Sequence, residues 1–156
     1  MMDDMDGRPP FYQSAAVYQI GGRLLINPYE RTRDGVSKGM AIVSTAALDN
    51  PTEIGAKVLD MLHHCRDNVP DDYTRRVPVP GIAVILKEVK LKTWSAFHKK
   101  ASVVGVYRQQ GTQQIEIVPT RRDGGASIDM DDKIRFCSAD PDELGRAILR
   151  ALADTH

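Results

Sequence analysis

The run Lys92–Gly125, KTWSAFHKKASVVGVYRQQGTQQIEIVPTRRDGG, decides how the chain is read. It holds the only tryptophan, Trp94, with Phe97 three residues on. At that spacing on a helix the two rings share one face, and Thr93 is placed to cap such a helix. Two alternating segments follow, Ser102–Arg108 and Gln113–Val118. Val104 and Val106 alternate with Val103 and Tyr107; Ile115 and Ile117 alternate with Gln114 and Glu116. A period of two marks half-buried strands, and Gln110-Gly111-Thr112 turns one into the other. The run is therefore a short helix feeding a hairpin. Pro119 is expected to stop the ladder. Thr120–Lys133 reads as a long polar loop, and Ile134–Cys137 as a last strand.

Towards the N-terminus, Ala15–Ile20 and Arg23–Tyr29 flank Gly21-Gly22, a two-residue hairpin signal. Leu24 and Ile26 share one face and Leu25 takes the other. Tyr29–Gly39 is a charged loop with Asp34-Gly35 as its turn, and Met40–Ser44 reads as a third strand. Asn50-Pro51-Thr52-Glu53 is a helix start: a capping side chain, proline at the first helical position and an acid at the third. Ile54, Val58, Met61, Leu62 and Cys65 continue as an apolar stripe to about Arg66. Asn68–Pro80 carries three prolines and reads as an irregular connection. Ile82–Val89 fits a strand or a helix; its apolar spacing of i, i+3, i+4, i+7 favours a helix. Asp140-Pro141-Asp142-Glu143 starts a terminal helix with Leu144, Ile148, Leu149 and Leu152 on its apolar face.

Hairpins without strand–helix–strand alternation give an α+β fold, an antiparallel (mixed) sheet with helices packed on one face. Residues 1–12 are expected to be a flexible tail and 13–156 a single domain. No internal repeat stands out. At 156 residues the chain can bury roughly 70% of its unfolded surface. It therefore needs neither a metal nor a disulfide to hold it together. Basic and acidic residues balance at 21 each, which argues against a dedicated nucleic-acid binder. Two cysteines without motif spacing read as reduced, buried thiols of a cytosolic protein, with a disulfide as the alternative. The N-terminus lacks the basic and apolar regions of a signal peptide, and no apolar run reaches membrane-spanning length.

Chemistry-bearing motifs are few. His63, His64 and Cys65 are adjacent, and neighbouring helical residues point about 100° apart, so they cannot chelate one ion together. Asp129, Asp131 and Asp132 lack the glycine and glutamate of a calcium loop. The loop at Arg121, Arg122 and Asp123 has glycines but no P-loop ending. No catalytic residue, metal site or cofactor is expected. A cysteine–histidine nucleophile pair built on Cys65 or Cys137 ranks last, because both thiols lie on apolar stripes. The alternative function is a small RNA-binding module that uses Arg31, Arg33, Lys99, Lys100, Arg121 and Arg122.

Four segments together resemble an immunity-protein family of bacterial contact-dependent growth inhibition systems. They are Tyr29-Glu30-Arg31-Thr32-Arg33-Asp34-Gly35 after the early hairpin; Lys92–Phe97 with Lys99-Lys100; Ile117-Val118-Pro119-Thr120 leading to Gly124-Gly125; and the helix start at Asp142-Glu143-Leu144-Gly145. Glu30, in place of a common glycine, and Ala126, in place of an aromatic, depart from the family pattern. The resemblance implies a non-enzymatic cytoplasmic protein that binds the C-terminal toxin domain of a cognate effector. Such toxins are often nucleases, frequently acting on tRNA. The implied partner is a protein, with no membrane and no direct nucleic-acid contact. Segments shared by proteins that face different toxins belong to the scaffold. The variable loops supply the toxin-binding candidates: Arg31, Arg33, Asp34, Asp71, Asp72, Arg121, Arg122, Asp123, Asp129, Asp131 and Asp132.

Overall fold

The computed structural model describes residues 9–70 and 79–155. The proposed contacts Asp71 and Asp72, and residues 1–8 of the expected 1–12 tail, lie outside the described residues. In chain order the elements are β1 (Tyr12–Ile20), β2 (Arg23–Arg31), β3 (Ser37–Gly39), β4 (Ser44–Ala47) and α1 (Pro51–His63). There follow α2 (Pro80–Val89), α3 (Trp94–Lys100), β5 (Ser102–Gln109), β6 (Gln114–Asp123), β7 (Ala126–Asp129), β8 (Arg135–Ser138) and α4 (Pro141–Asp154). The strands form one eight-stranded sheet in the order β3-β2-β1-β5-β6-β7, with β4 also on β2 and β8 also on β6. Every strand pairing is antiparallel, so the α+β class stands.

The helix starts form as their sequences dictate. Asn50 Oδ1 accepts from the Glu53 amide at 3.1 Å, Thr93 Oγ1 from Ala96 at 3.1 Å, and Asp140 Oδ2 from Glu143 at 2.9 Å. Each such cap is worth about 1 kcal/mol. The stripe of Ile54, Val58, Met61 and Leu62 buries against the sheet. Ile82–Val89 is helical, part of α2. Cys65 falls two residues past the end of α1.

The helices cover both faces of the sheet, not one. Val17, Leu24, Ile26, Val104, Val106, Ile115 and Ile117 pack against α1 and α4. On the opposite face Ala16, Tyr18 and Leu25 pack against Ile85, Leu86 and Phe97 of α2 and α3. Leu24, Leu25 and Ile26 are consecutive and all fully buried, which requires cover on both sides of β2. Three local expectations also change. Met40–Val43 is not a strand; Asn27 Nδ2 holds it by donating to Met40 O and Ile42 O, both at 2.8 Å. β6 runs straight through Pro119 to Asp123. The Pro119 carbonyl accepts from Met130, so its ladder side faces the junction of β8 and β7, where the missing N–H breaks no bond to β5. Consequently the predicted loop after Thr120 is a hairpin, β6–β7, turning at Gly124-Gly125.

The chain is also built twice. The β1–β2 pair Ala15↔Pro28 has its counterpart in Val104↔Pro119 of β5–β6. The β2–β3 pair Tyr29↔Gly39 corresponds to Thr120↔Asp129, and the β2–β4 pair Leu24↔Ala46 to Ile115↔Cys137. Asn50-Pro51-x-Glu53-x-Gly55 recurs ninety positions on as Asp140-Pro141-x-Glu143-x-Gly145. The halves meet across the antiparallel β1–β5 pair, and α1 crosses α4 reciprocally. A Cβ at Gly55 would stand 1.8 Å from the Pro141 carbonyl oxygen, and one at Gly145 1.7 Å from that of Pro51. Only glycine permits this approach. The helices α2 and α3 have no counterpart in the repeat; they occupy the connection between halves.

Gly55→Ala or Gly145→Ala should therefore destabilise the fold by at least ~2 kcal/mol in urea unfolding. Gly22→Ala, with open space around its Cβ, should stay within ~0.5 kcal/mol of the parent. Equal stability of all three variants would contradict the crossing geometry.

Candidate functional site

On the face carrying α2 and α3, the sheet curls until its edge strands, β3 and β7, stand on opposite sides of one cleft of about 460 Å³. Ser37 of β3 lines one wall and Ser127 and Asp129 of β7 the other. Tyr18, Tyr29 and Tyr107 contribute their rings from the strands, and Trp94, Phe97 and His98 theirs from α3. Phe97 is fully buried and Tyr18 nearly so, whereas Trp94 is only half-buried. The three rings pack as a unit. Tyr18 lies 5.8 Å from Trp94 and 5.2 Å from Phe97, edge to face, and Trp94 lies 5.0 Å from Phe97. Thus the sequence pair Trp94 and Phe97 divides: Phe97 is the buried anchor, and Trp94 is cleft wall.

The polar groups of the cleft are tied in place. Burial pushes the Tyr18 hydroxyl well above the usual phenol range, with the neighbouring Tyr29 adding to the effect. Burial also raises Tyr107, with the nearby Asp129 carboxylate adding to the effect. The Tyr107 ring folds back along its own strand over Gly105, where a Cβ would meet Oη at 2.7 Å. His98 Nε2 lies 3.1 Å from Ser127 Oγ. Arg122 Nη1 donates to the carbonyls of Lys99 at 2.7 Å and of His98 and Ala101 at 3.2 Å. This arginine caps the end of α3 and fastens the β6–β7 hairpin beside the cleft.

The remaining sequence candidates separate into groups. Arg31 grips Asp67 through Nε and Nη2 at 2.7 and 2.9 Å. It also donates to the carbonyls of Pro9 and Pro10 and lies over the Phe11 ring. Its contacts join the start of the described chain to the segment after α1. Arg33 and Asp34 are exposed at the β2–β3 turn, and Arg121 and Asp123 near the equivalent β6–β7 turn. Asp129 reaches the cleft; Asp131 and Asp132 follow in a 3-10 turn, Asp131–Lys133. The structure thus brings Asp129 and Asp131 together beside Tyr107, and leaves Arg33 and Arg121 on separate hairpins. Tyr18, Tyr29 and Tyr107 were missed as cleft residues. Their signal was strand parity: they fall on the positions opposite the valine and isoleucine stripes.

Among the described residues, no three His, Cys, Asp or Glu side chains converge to hold a metal. Nor is any helix long and apolar enough to cross a membrane. Cys65 Sγ donates to the Ser14 carbonyl at 3.1 Å, and burial raises its pKa. Burial, with Glu143 adding, pushes Cys137 from 9.0 to about 11.

No protein-family model and no curated protein matches the sequence. Solved structures match the fold. A protein of unknown function from Neisseria meningitidis superposes with a TM-score of 0.77 at 21% identity, over 96% of this chain and 98% of that one. A chain of the CdiA-CT/CdiI toxin and immunity complex from Yersinia pseudotuberculosis gives 0.72 at 16% identity, over 94% and 98%. The whole architecture is therefore shared with a chain of a toxin–immunity complex.

Two outcomes follow. Phe97→Ala should cost ~3–5 kcal/mol in chemical denaturation, and Trp94→Ala clearly less because its ring is already partly in solvent. Equal losses would place Trp94 in the core. At pH 8 the Cys137 thiolate should be ~100-fold scarcer in the native protein than in the urea-unfolded chain. Iodoacetamide labelling followed by mass spectrometry reads this directly, and labelling at the unfolded rate would contradict the burial.

Proposed function

We propose that this protein is an immunity protein of a contact-dependent growth inhibition system. It binds the C-terminal toxin domain of a cognate effector in the cytoplasm and neutralises it without catalysis. The observation that carries this reading is the full-length likeness in fold to a chain of the CdiA-CT/CdiI complex. It agrees with the four sequence segments that resemble the immunity family.

The toxin is proposed to be a nuclease, possibly one acting on tRNA, inhibited by covering its active site or substrate surface. A nuclease needs a basic groove for the phosphate backbone. Asp129, Asp131 and Asp132 on this chain offer the complementary charge, and Asp71, Asp72 and Asp123 extend the proposed contact set. Arg33 and Asp34 stand exposed at the β2–β3 turn, and Arg121 stands exposed in the β6–β7 ladder, where a partner would meet them. Arg31 and Arg122 are assigned to the partner's surroundings rather than to direct contact, because their guanidinium groups hold the fold. That same engagement removes two cations from the RNA-binding alternative.

The test uses the toxin domain encoded by the gene upstream. Co-expression should rescue growth, and the two proteins should co-purify as a stoichiometric complex. Absence of a complex at micromolar concentrations, together with unrelieved toxicity, would refute the reading.

A further inference from the structure

The repeat lets one half of the sheet be compared with the other on the face opposite α1 and α4. In the first half a cross-strand row runs Tyr18–Leu25–Thr45. Its counterpart runs Tyr107–Glu116–Phe136. The first row lies under α2 and α3, and Leu25 at its centre is fully buried. Among the described residues no helix covers the second. Phe136 is 59% exposed and nearby Tyr12 46%, both large apolar rings facing solvent. Glu116 replaces the buried leucine, and Asp129 stands where the first half has Gly39, packed against Gly81 of α2.

A second, more open cleft of about 410 Å³ lies here, lined by Tyr12, Tyr107, Glu116, Asp129 and Asp131 among others. It shares Tyr107 and Asp129 with the larger cleft, so the two adjoin. The arginines of these strands do not offset the carboxylates. Arg108 and Arg135 alternate to the other face, where they bond the Thr112 carbonyl and Asp154; of the β6 arginines, Arg122 is held on the carbonyls at the end of α3 and Arg121 has the parity of Ile115 and Ile117. An exposed aromatic patch set among carboxylates, with an adjoining cleft, suits guanidinium and ammonium groups. Ring faces and carboxylates both attract them.

We infer that this bare half-face, centred on the row Tyr107–Glu116–Phe136, docks a basic segment of the protein partner, seating an arginine or lysine side chain between the rings and Glu116. The segment does for the second half what α2 and α3 do for the first. The inference rests on the immunity reading for the partner's identity, but not for the chemistry of the face.

Two measurements test it. In the first, the complex with the upstream-encoded toxin domain is titrated calorimetrically. Glu116→Lys at a partly buried position, with Phe136→Ser at an exposed one, should weaken binding by roughly 100-fold with the thermal midpoint unchanged. Asp60→Lys, on the exposed side of α1, should leave Kd within about twofold. Near-parent affinity of the double variant overturns the inference while leaving the immunity reading intact. In the second, a capped tetra-arginine peptide is titrated into the isotope-labelled protein alone at low salt. Amide shifts should centre on β5, β6 and β8 and vanish in Glu116→Lys. Shifts centred elsewhere overturn the inference even if no toxin complex is ever isolated. Sedimentation velocity should show a monomer; a dimer dispersed by Phe136→Ser would make a second copy the occupant and equally overturn it.

Discussion

Everything in this molecule depends on the crossing of α1 over α4. Gly55 sits on the first turn of the opposite helix at Pro141, and Gly145 returns the contact at Pro51. Neither position can hold a side chain, because the approaching atoms are backbone. The contact fixes both helices on one face of the sheet, and with them the isoleucines, leucines and valines of four strands, β1, β2, β5 and β6. It also joins the halves of the repeat twice over, since β1 and β5 already pair below it. Surface, clefts and loops are what this core leaves outside.

Asymmetry then produces the site. Two equivalent half-faces look away from α1 and α4. The connection between the halves folds as α2 and α3 and fills one of them through Leu25, Tyr18 and Phe97. The other keeps glutamate where leucine would be buried, and phenylalanine and tyrosine in solvent. A sheet face with exposed rings is costly for a protein to keep unless something binds there. The curl of the sheet brings the β2–β3 and β6–β7 hairpins, both carrying charged residues, to either side of the cleft. Arg122, spent on the end of α3, is what holds one side of that cleft.

Much of the fold was legible in the sequence because local rules dominate there. Caps at Asn50, Thr93 and Asp140 located three helices, and the alternation of Val104, Val106, Ile115 and Ile117 located the central hairpin. What was hidden was non-local. Three consecutive buried residues at Leu24–Ile26 signalled cover on both sides of β2, but which helices supplied it depends on how the connection folds back. Pro119 misled because a proline is harmless where its missing N–H points away from the β5 ladder, on the side where its carbonyl accepts from Met130. The repeat escaped notice because its identities are few and scattered: the helix caps, the crossing glycines, and strand positions such as Val17 with Val106, Ile26 with Ile117 and Pro28 with Pro119. For the site, the aspartates were visible as charges. Glu116, Tyr107 and Phe136 were not, because they become neighbours only through β5, β6 and β8 pairing.

The central claim is that a partner completes the half of the sheet that α2 and α3 leave bare. Hydrogen–deuterium exchange on the protein, free and bound to the toxin domain, tests it most directly. Slowed exchange should concentrate in β5, β6, β7 and β8 and at the turn after β7, with α1 and α4 unchanged. Protection confined to the outer surfaces of α1 and α4 would contradict the account.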